Sequence, residues 1–332
     1  MATLKDVAEY AQVSQATVSR VIRGGQGVSI ASETRERVLK ALEQLNYQIR
    51  PRRNNDGHPG TPRIGIVAFR NEHAESTDPY YLSIRQSIEQ EIHAHGGSVS
   101  IQWKDAVKSY ASFMNFDAVI VIGGNGEAEQ YFMDRDIRVL FLDGSPNPER
   151  YDSIVVDFEH GTEKALKHLT SLGHTRIGYI GGYRPEDPRE LAYRKYIEKE
   201  AGFDDKLLRA SGDWSIHSGY ELVNDLIAER CLPTALFVAS DPMALGAMRA
   251  LSEAGLRVPE DIAIVSCNDN ELARFTNPPL TTVHVPTQAM GSIAVNMLVG
   301  GVIREHCPLQ VTVPTKLVIR ESCGARKKQM GS

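Results

Sequence analysis

Two periodicities of apolar residues divide the chain into a short helical head and a longer body. Near the N-terminus, apolar residues recur with helical spacing over residues 4–11 and again over 18–22. Thr3 and Ser14 precede these segments, and hydroxyl side chains there can accept hydrogen bonds from the first helical turn. The pattern therefore predicts two short helices joined by a tight turn near Gln12.

A third helix is predicted over residues 33–46, with an inward stripe formed by Val38, Ala41, Leu42 and Leu45. It would complete a three-helix domain within residues 1–49. Residues 50–62 are rich in proline, glycine and arginine, a composition typical of a linker. The last residues, 325–332, are predicted to be a disordered tail.

From residue 63 the pattern changes to short runs rich in valine and isoleucine. Strands are predicted at residues 64–69, 118–122, 139–142, 177–180, 235–239 and 262–265. Amphipathic helices are predicted at residues 80–95, 158–172, 189–200, 218–229 and 243–253. Buried strands that alternate with helices indicate an α/β fold of parallel sheets flanked by helices.

Charge is distributed unevenly between head and body. Residues 1–60 contain nine Lys or Arg and six Asp or Glu, a net charge of +3, so the rest carries −8 of the total of −5. A basic head confines attraction for phosphate to one end of the chain. The exposed face predicted for the second helix carries groups suited to the DNA major groove: Gln15, Ala16, Thr17, Ser19 and Arg20. A solvated helical hairpin is the alternative interpretation.

Cysteine usage and hydropathy bear on the compartment. The four cysteines lie far apart and without metal-ligand spacing, which predicts free thiols in a reducing cytoplasm: Cys231, Cys267, Cys307 and Cys323. No secretory segment and no apolar run near 18 residues is found, so neither export nor a membrane span is predicted.

Residues 3–23 closely resemble the headpiece of the LacI/GalR (lactose-repressor) family. That pattern reads Thr-Leu-x-Asp-Val-Ala-x-x-Ala-Gly-Val-Ser-x-x-Thr-Val-Ser-Arg-Val, and the chain departs from it only at Gln12, where the family usually has glycine. A positive φ at Gln12 would cost about 1 kcal/mol. The resemblance implies that the base-reading residues are Gln15, Ala16 and Arg20, and that phosphates are bound by Ser14, Thr17 and Ser19.

The body resembles the same family at residues 141–143, 172–178, 233–246 and 279–283. The implied fold is a core of two subdomains, as in periplasmic binding proteins, spanning residues 63–324. The expected N-subdomain covers about residues 63–157 and 287–314. The expected C-subdomain covers about residues 158–286 and 315–324.

The linker departs from the family pattern, which usually contains a leucine that wedges into the minor groove from a hinge helix. No leucine occurs between Leu45 and Leu82, and Pro51 and Gly57 disfavour a helix. Three arginines could instead contact the minor groove or phosphates: Arg50, Arg52 and Arg53. A solvated basic linker is the alternative.

Effector-binding candidates lie after predicted strands or match the family pocket: Asp78, Asp143, Arg189, Trp214, Ser240 and Asn268. Carboxylates, an arginine and an indole suit a sugar, which has a polar rim and apolar ring faces. Each has a structural alternative: Trp214 could be a core aromatic and Arg189 an ion-pair partner, while the aspartate and asparagine that follow strands could form turns or caps.

Enzymatic interpretations have less support. Glycines at 123–126 and 181–182 follow strands but do not complete a dinucleotide or P-loop motif, and His93 and His95 have no nearby third ligand. We therefore predict no catalytic residues, no metal and no cofactor.

Together these features predict a cytoplasmic, ligand-controlled repressor of sugar-utilisation genes. It would bind a near-palindromic operator as a homodimer and be released by a small sugar. Residues 78–85, 235–241 and 273–281 look most like repressors of β-galactosidase operons, which favours a galactoside, and no C-terminal leucine heptads are found. The alternatives are a corepressor-dependent regulator, for example purine-bound, and a sugar-binding protein without a DNA role.

Overall fold

The computed structural model describes most of the chain. The described residues are 2–22, 30–45, 47, 63–69, 75, 78–104, 107, 113, 116–124, 126–133, 137–182, 186–200, 204–211, 213–299 and 307–325. The predicted linker, residues 50–62, lies outside the described residues, and so do residues 326–332 of the predicted tail.

The head contains the three predicted helices, α1 (Leu4–Tyr10), α2 (Gln15–Ile22) and α3 (Ser32–Gln44). One apolar cluster holds them together, and its buried members are Val7, Ala8, Ala11, Val18, Val21, Val38, Ala41 and Leu42. Leu45 packs against this cluster but is only partly buried. The predicted stripe of α3 therefore faces the core.

The body begins with β1 (Arg63–Ala68), α4 (Pro79–Ala94), β2 (Ser98–Trp103), β3 (Ala118–Ile122), α5 (Gly126–Glu129), β4 (Arg138–Leu142) and β5 (Asp152–Val156). It continues with α6 (Phe158–Ser171), β6 (Ile177–Gly182), α7 (Pro188–Glu200), β7 (Leu208–Ser211), α8 (Ile216–Ala228), β8 (Ala235–Val238), α9 (Asp241–Glu253) and β9 (Ala263–Asn268). The remaining elements are β10 (Thr281–His284), α10 (Thr287–Val299), β11 (Gln310–Val313) and β12 (Lys316–Val318).

The strands form two six-stranded sheets. The first has the order β11-β5-β4-β3-β1-β2, and the second has the order β12-β10-β9-β8-β6-β7. Strands β1 to β5 pair with one another in parallel, and so do β6 to β10, whereas β12 pairs with β10 in antiparallel orientation. The predicted α/β class, with parallel sheets flanked by helices, is confirmed.

The chain divides into two compact units. The first comprises residues 1–72, 84–155 and 288–311, and the second comprises residues 73–83, 156–287 and 312–332. Within the described residues, no helix combines the length and the hydropathy that a membrane crossing requires.

The six predicted strands and five predicted body helices are present, with ends shifted by up to three residues. Strands β2, β5, β7 and β10 to β12 and helices α5 and α10 are additional. Strand β9 extends past its predicted end at residue 265 through Ser266 to Asn268. Ser266 is buried and donates a hydrogen bond to Asp241, so a polar residue can lie inside the strand.

Candidate DNA-binding and effector-binding sites

The start of α1 is fixed by a capping box. The Asp6 amide donates to Thr3 Oγ1 at 3.3 Å, and the Thr3 amide donates to Asp6 Oδ2 at 2.7 Å. The hydrogen bonds from Thr3 to the carboxylate lower the pKa of Asp6. The reciprocal bonds satisfy two amide groups that a helix end leaves free, which sets where α1 begins.

The turn between α1 and α2 has a left-handed residue at Gln12, where φ is 54°. Its amide donates to the Glu9 carbonyl at 3.2 Å, and the Val13 amide donates to the Ala8 carbonyl at 3.0 Å. These two bonds are those of a Schellman motif, in which the left-handed position is usually glycine. The positive φ considered from the sequence is therefore present, and Gln12 bears its steric cost.

Ser14 caps α2, as predicted. Its Oγ accepts a hydrogen bond from the Thr17 amide at 3.1 Å and lies 2.9 Å from Thr17 Oγ1. Each hydroxyl has one proton, so one of the pair donates to the other and a single proton remains for a phosphate. The pair is therefore ordered before any anion arrives.

The outward face of α2 carries the three predicted base-reading residues, and Gln15, Ala16 and Arg20 are all exposed. Ser14 is also exposed, and Thr17 and Ser19 are partly exposed. The opposite face is anchored in the head core by Val18 and Val21. The contribution predicted for Arg50, Arg52 and Arg53 lies outside the described residues.

In the second unit, Arg189 is held by a buried ion pair at the start of α7. Its Nε donates to Asp187 Oδ1 at 2.9 Å and its Nη2 to Asp187 Oδ2 at 2.7 Å. Its Nη1 donates to the Ala239 carbonyl at 3.1 Å. Burial works to lower the pKa of Arg189, but the charge and hydrogen bonds of Asp187 raise it above its usual value.

Aromatic rings lie against the Arg189 guanidinium. Its Cζ is 4.5 Å from the ring centre of Phe158 and 4.3 Å from that of Trp214. The indole in turn lies against Gly182, where an added Cβ would come within 2.5 Å of the ring. Strand β6 therefore ends in a residue without a side chain because the indole occupies that space.

Ser240 and Asp241 form the buried start of α9. Ser240 Oγ accepts a hydrogen bond from the Met243 amide at 3.4 Å. Asp241 accepts from Ser266 and from Thr282 Oγ1, the latter at 2.7 Å, and from the Asn270 amide at 2.7 Å. Burial raises the pKa of Asp241 to about 7, although these hydrogen bonds oppose the change.

Asn268 ends β9 with a φ of 113° and is buried. Its Oδ1 has no hydrogen-bond partner among the described residues. The next residue, Asp269, also has a positive φ of 56°, and Arg320 Nη2 donates to it at 2.6 Å. A buried acceptor without a partner is costly, so this amide suits a ligand that donates a hydrogen bond.

Asp78 and Asp143 are buried in turn or cap positions. Asp78 Oδ1 accepts from the Tyr80 amide at 3.1 Å in the first turn of α4. Asp143 directly follows β4 with a φ of 61°. The turn or cap alternative therefore describes their local structure, and it leaves their role toward a ligand open.

The structure brings only some of the effector candidates together. Arg189 contacts Trp214 directly and bonds to the carbonyl of Ala239, the residue before Ser240. Asp143 belongs to the first unit. Both alternatives considered for Arg189 and Trp214 hold structurally, since Arg189 is ion-paired and only 9% of Trp214 is exposed.

Three residues of this region were not predicted from the sequence: Phe158, Asp187 and Asp241. The Asp187-Pro188-Arg189 sequence was a usable signal, because an aspartate followed by proline favours the cap of a new helix. Nothing in the spacing indicated that Phe158 would reach Arg189, because the contact joins distant parts of the chain.

Two models of known protein families match separate parts of the chain. Residues 3–49 match the model of bacterial regulatory proteins, lacI family, and residues 166–323 match that of a periplasmic binding protein-like domain. The HTH-type transcriptional repressor MelR of Bacillus subtilis (strain 168) is 38% identical over 347 residues, covering 99% of this chain and 100% of that protein. The chain belongs to the lacI family.

Two solved structures support the assignment of this lacI-family chain. The transcriptional regulator CelR in complex with cellobiose has a TM-score of 0.70 and 28% identity, covering 97% of this chain and 100% of that one. The Lac repressor dimer bound to operator and the anti-inducer ONPF has a TM-score of 0.68 and 30% identity, covering 97% and 99%.

Proposed function

We propose that this chain is a transcriptional repressor that reads operator DNA with the outward face of α2. The observation that carries the proposal is the exposure of Gln15, Ala16 and Arg20 on a helix capped by Ser14 and anchored by its opposite face. Glutamine can pair with adenine and arginine with guanine in the major groove. Thr17 and Ser19, with Ser14, would hold phosphates, and Arg50, Arg52 and Arg53 would add contacts from the linker.

The proposed assembly is a homodimer on a near-palindromic operator, because a two-fold protein matches two-fold DNA half-sites. A Lac repressor relative has been solved as a dimer bound to operator, which supports this arrangement. In this proposal residues 1–49 form the DNA-binding domain, residues 50–62 the linker and residues 63–324 the effector-binding and dimerisation core.

The proposed effector is a sugar, with a galactoside as the first candidate. In this proposal Trp214 supplies an apolar ring, Arg189 a hydrogen-bond donor and Asn268 the unpartnered acceptor Oδ1. Ser240, Asp143 and Asp78 complete the proposed set. The relative solved with cellobiose supports a carbohydrate ligand. To release DNA, the sugar must bind one conformation more tightly than the other, since equal binding would change nothing.

The proposal includes no catalytic role and no cofactor. The reactive groups near Arg189 are committed to structure: Asp187 and Asp241 are buried in hydrogen bonds. Burial raises the pKa of Cys267 to about 12, so this thiol stays protonated and is a poor nucleophile at neutral pH.

The test is selection of binding sites from random DNA with the full-length protein, followed by gel-shift titration. We expect an inverted repeat, and we expect Arg20→Ala to weaken binding by about 1–3 kcal/mol for each half-site contact and to relax specificity at one base pair. Arg249→Ala is the matched control: it removes the same charge from an exposed position on α9 and should leave affinity unchanged. Failure to enrich any sequence would reject the proposal.

The gel-shift titration also tests the two alternatives, a corepressor-dependent regulator and a sugar-binding protein without a DNA role. Operator binding that requires a purine would reject sugar induction in favour of corepression. Sugar binding with no affinity for any DNA would leave a sugar-binding protein. Under the present proposal, deleting residues 1–49 abolishes DNA binding and leaves sugar affinity intact, because the two sites use different parts of the chain.

A further inference from the structure

We infer that Asp187 makes the effector site selective for uncharged sugars over phosphorylated or carboxylated ones. The inference rests on the proposed function, in which Arg189 and Trp214 belong to an effector site. Asp187 is completely buried and contacts the guanidinium rather than solvent. Its role is therefore to set what Arg189 can bind.

The ion pair uses the part of the arginine that recognises anions. A guanidinium binds a carboxylate or phosphate best through two parallel N–H groups. In Arg189 the Nε and Nη2 groups already donate to the two oxygens of Asp187, and Nη1 donates to the Ala239 carbonyl. The guanidinium also interacts with the buried Cys267 thiol, so no parallel pair of N–H groups is left for an anion and what remains suits single bonds to hydroxyl groups.

An anion could not readily replace Asp187. The carboxylate is part of the same short segment as Arg189, and its Oδ1 also accepts the Arg189 amide at 2.9 Å. Phe158 and Trp214 lie against the guanidinium, so a ligand must approach where the remaining N–H groups lie. An incoming phosphate would have to break a buried pair or remain without its own countercharge.

The surrounding charges do not supply a substitute. The ionisable groups at or after the ends of the parallel strands of the second sheet include Asp187, Asp213, Asp241, Asp269, Arg189 and His284. Arg320 donates to Asp269, which His284 also contacts at 3.1 Å. Each arginine is therefore paired with its own carboxylate, and neither supplies excess positive charge for an anion.

The experiment measures dissociation constants by titration calorimetry for galactose, lactose and cellobiose, and for galactose 6-phosphate and galacturonate, with the full-length protein. For the natural chain we expect the best neutral sugar to bind at least 100-fold more tightly than either anion. Asp187→Asn keeps an acceptor for the Arg189 amide but removes the carboxylate charge that pairs with Nε and Nη2 of Arg189. We expect it to reduce that ratio at least tenfold, through stronger binding of the anions.

Two variants make the result specific. The double variant Asp187→Asn/Arg189→Gln should lose the gain for anions, because the released charge is gone. Asp261→Asn removes a carboxylate that pairs in the same two-pronged way with Arg257, at 3.0 and 3.2 Å, but on the exposed surface. It should leave the ratio unchanged.

The natural chain tests the inference even if Asp187→Asn does not fold. Preference for an anion, or no binding by any neutral sugar, would overturn it, as would an unchanged ratio in a folded Asp187→Asn protein. These outcomes are separate from the fate of the proposed function. An anion that releases operator DNA would overturn the inference alone, whereas a neutral sugar that binds without any operator binding would overturn the proposed function alone.

Discussion

The face of α2 and the surroundings of Arg189 use arginine in opposite ways. Arg20 lies exposed on a short helix, with the exposed Ala16 one turn before it. Arg189 is buried, its Nε and Nη2 groups donate to the two carboxylate oxygens of Asp187, and aromatic rings lie against its guanidinium. One arginine presents its whole charge to a partner, and the other presents a guanidinium that Asp187 neutralises.

This difference separates the two kinds of recognition in one chain. DNA binding through an exposed charge gains from counterion release and should weaken steeply with salt. Ligand binding beside a buried, neutralised pair should respond little to salt, because buried pairs are poorly screened. Buried charge also makes folding depend on pH, so that dependence is expected in the second unit.

The largest expected effect concerns Asp241. Its folded-state pKa of about 7 lies above the ordinary value of 3.8, so the folded chain keeps a proton that the unfolded chain releases between these values. Its contribution to stability is full below pH 4 and is lost as the pH rises through 7. The expected loss is about 4 kcal/mol, at about 1.4 kcal/mol per pH unit.

Urea unfolding of the natural chain and of Asp241→Asn, measured from pH 4.5 to 8, checks this prediction. Asparagine cannot lose a proton, so the free energy of unfolding of the variant should fall less with rising pH. The variant should also be less stable at low pH, because its amide group faces the Asn270 amide donor. Identical slopes for the two proteins would show that Asp241 does not govern the pH dependence.

The second prediction concerns the crossing of α8 and α9, which follow Trp214 and Ser240 in the chain. A Cβ added at Gly246 would lie 1.9 Å from the Ile216 carbonyl oxygen, a backbone atom that can move only with its helix. Gly246→Ala should therefore destabilise the second unit by about 3 kcal/mol. Thermal unfolding measures the loss, and sugar affinity should fall while operator affinity per folded molecule is retained.

Gly126→Ala is the matched control, because a Cβ at that position has no atom within 4 Å. Gly126 is the first residue of the short helix α5, where alanine is the better helix former, so stability should be unchanged or slightly raised. Equal effects of the two substitutions would contradict the close contact between α8 and α9.

The same difference explains which features could be predicted from the sequence. The head helices, the Ser14 cap and the exposed residues of α2 follow from local spacing, and so do the main strands. The environment of Arg189 does not, because Phe158, Trp214 and Ala239 come together only when separate elements pack. Edge and short strands such as β7 and β12 were missed because they lack a continuous apolar run.

The smallest expected effect concerns Gln12, and it should be confined to the head. Glycine adopts a φ of 54° without a Cβ penalty, which outweighs its greater freedom in the unfolded chain, so Gln12→Gly should stabilise α1 and α2 by about 0.5–1 kcal/mol. Hydrogen exchange of amides 4–22 in the full-length protein measures this, because local opening reports local stability. Gln44→Gly, in the last turn of α3, should instead lower the protection of the head amides from exchange, since glycine disfavours a helix and α3 packs against α1 and α2. If both variants lowered protection equally, backbone strain at Gln12 would be excluded and the turn would depend on the glutamine side chain.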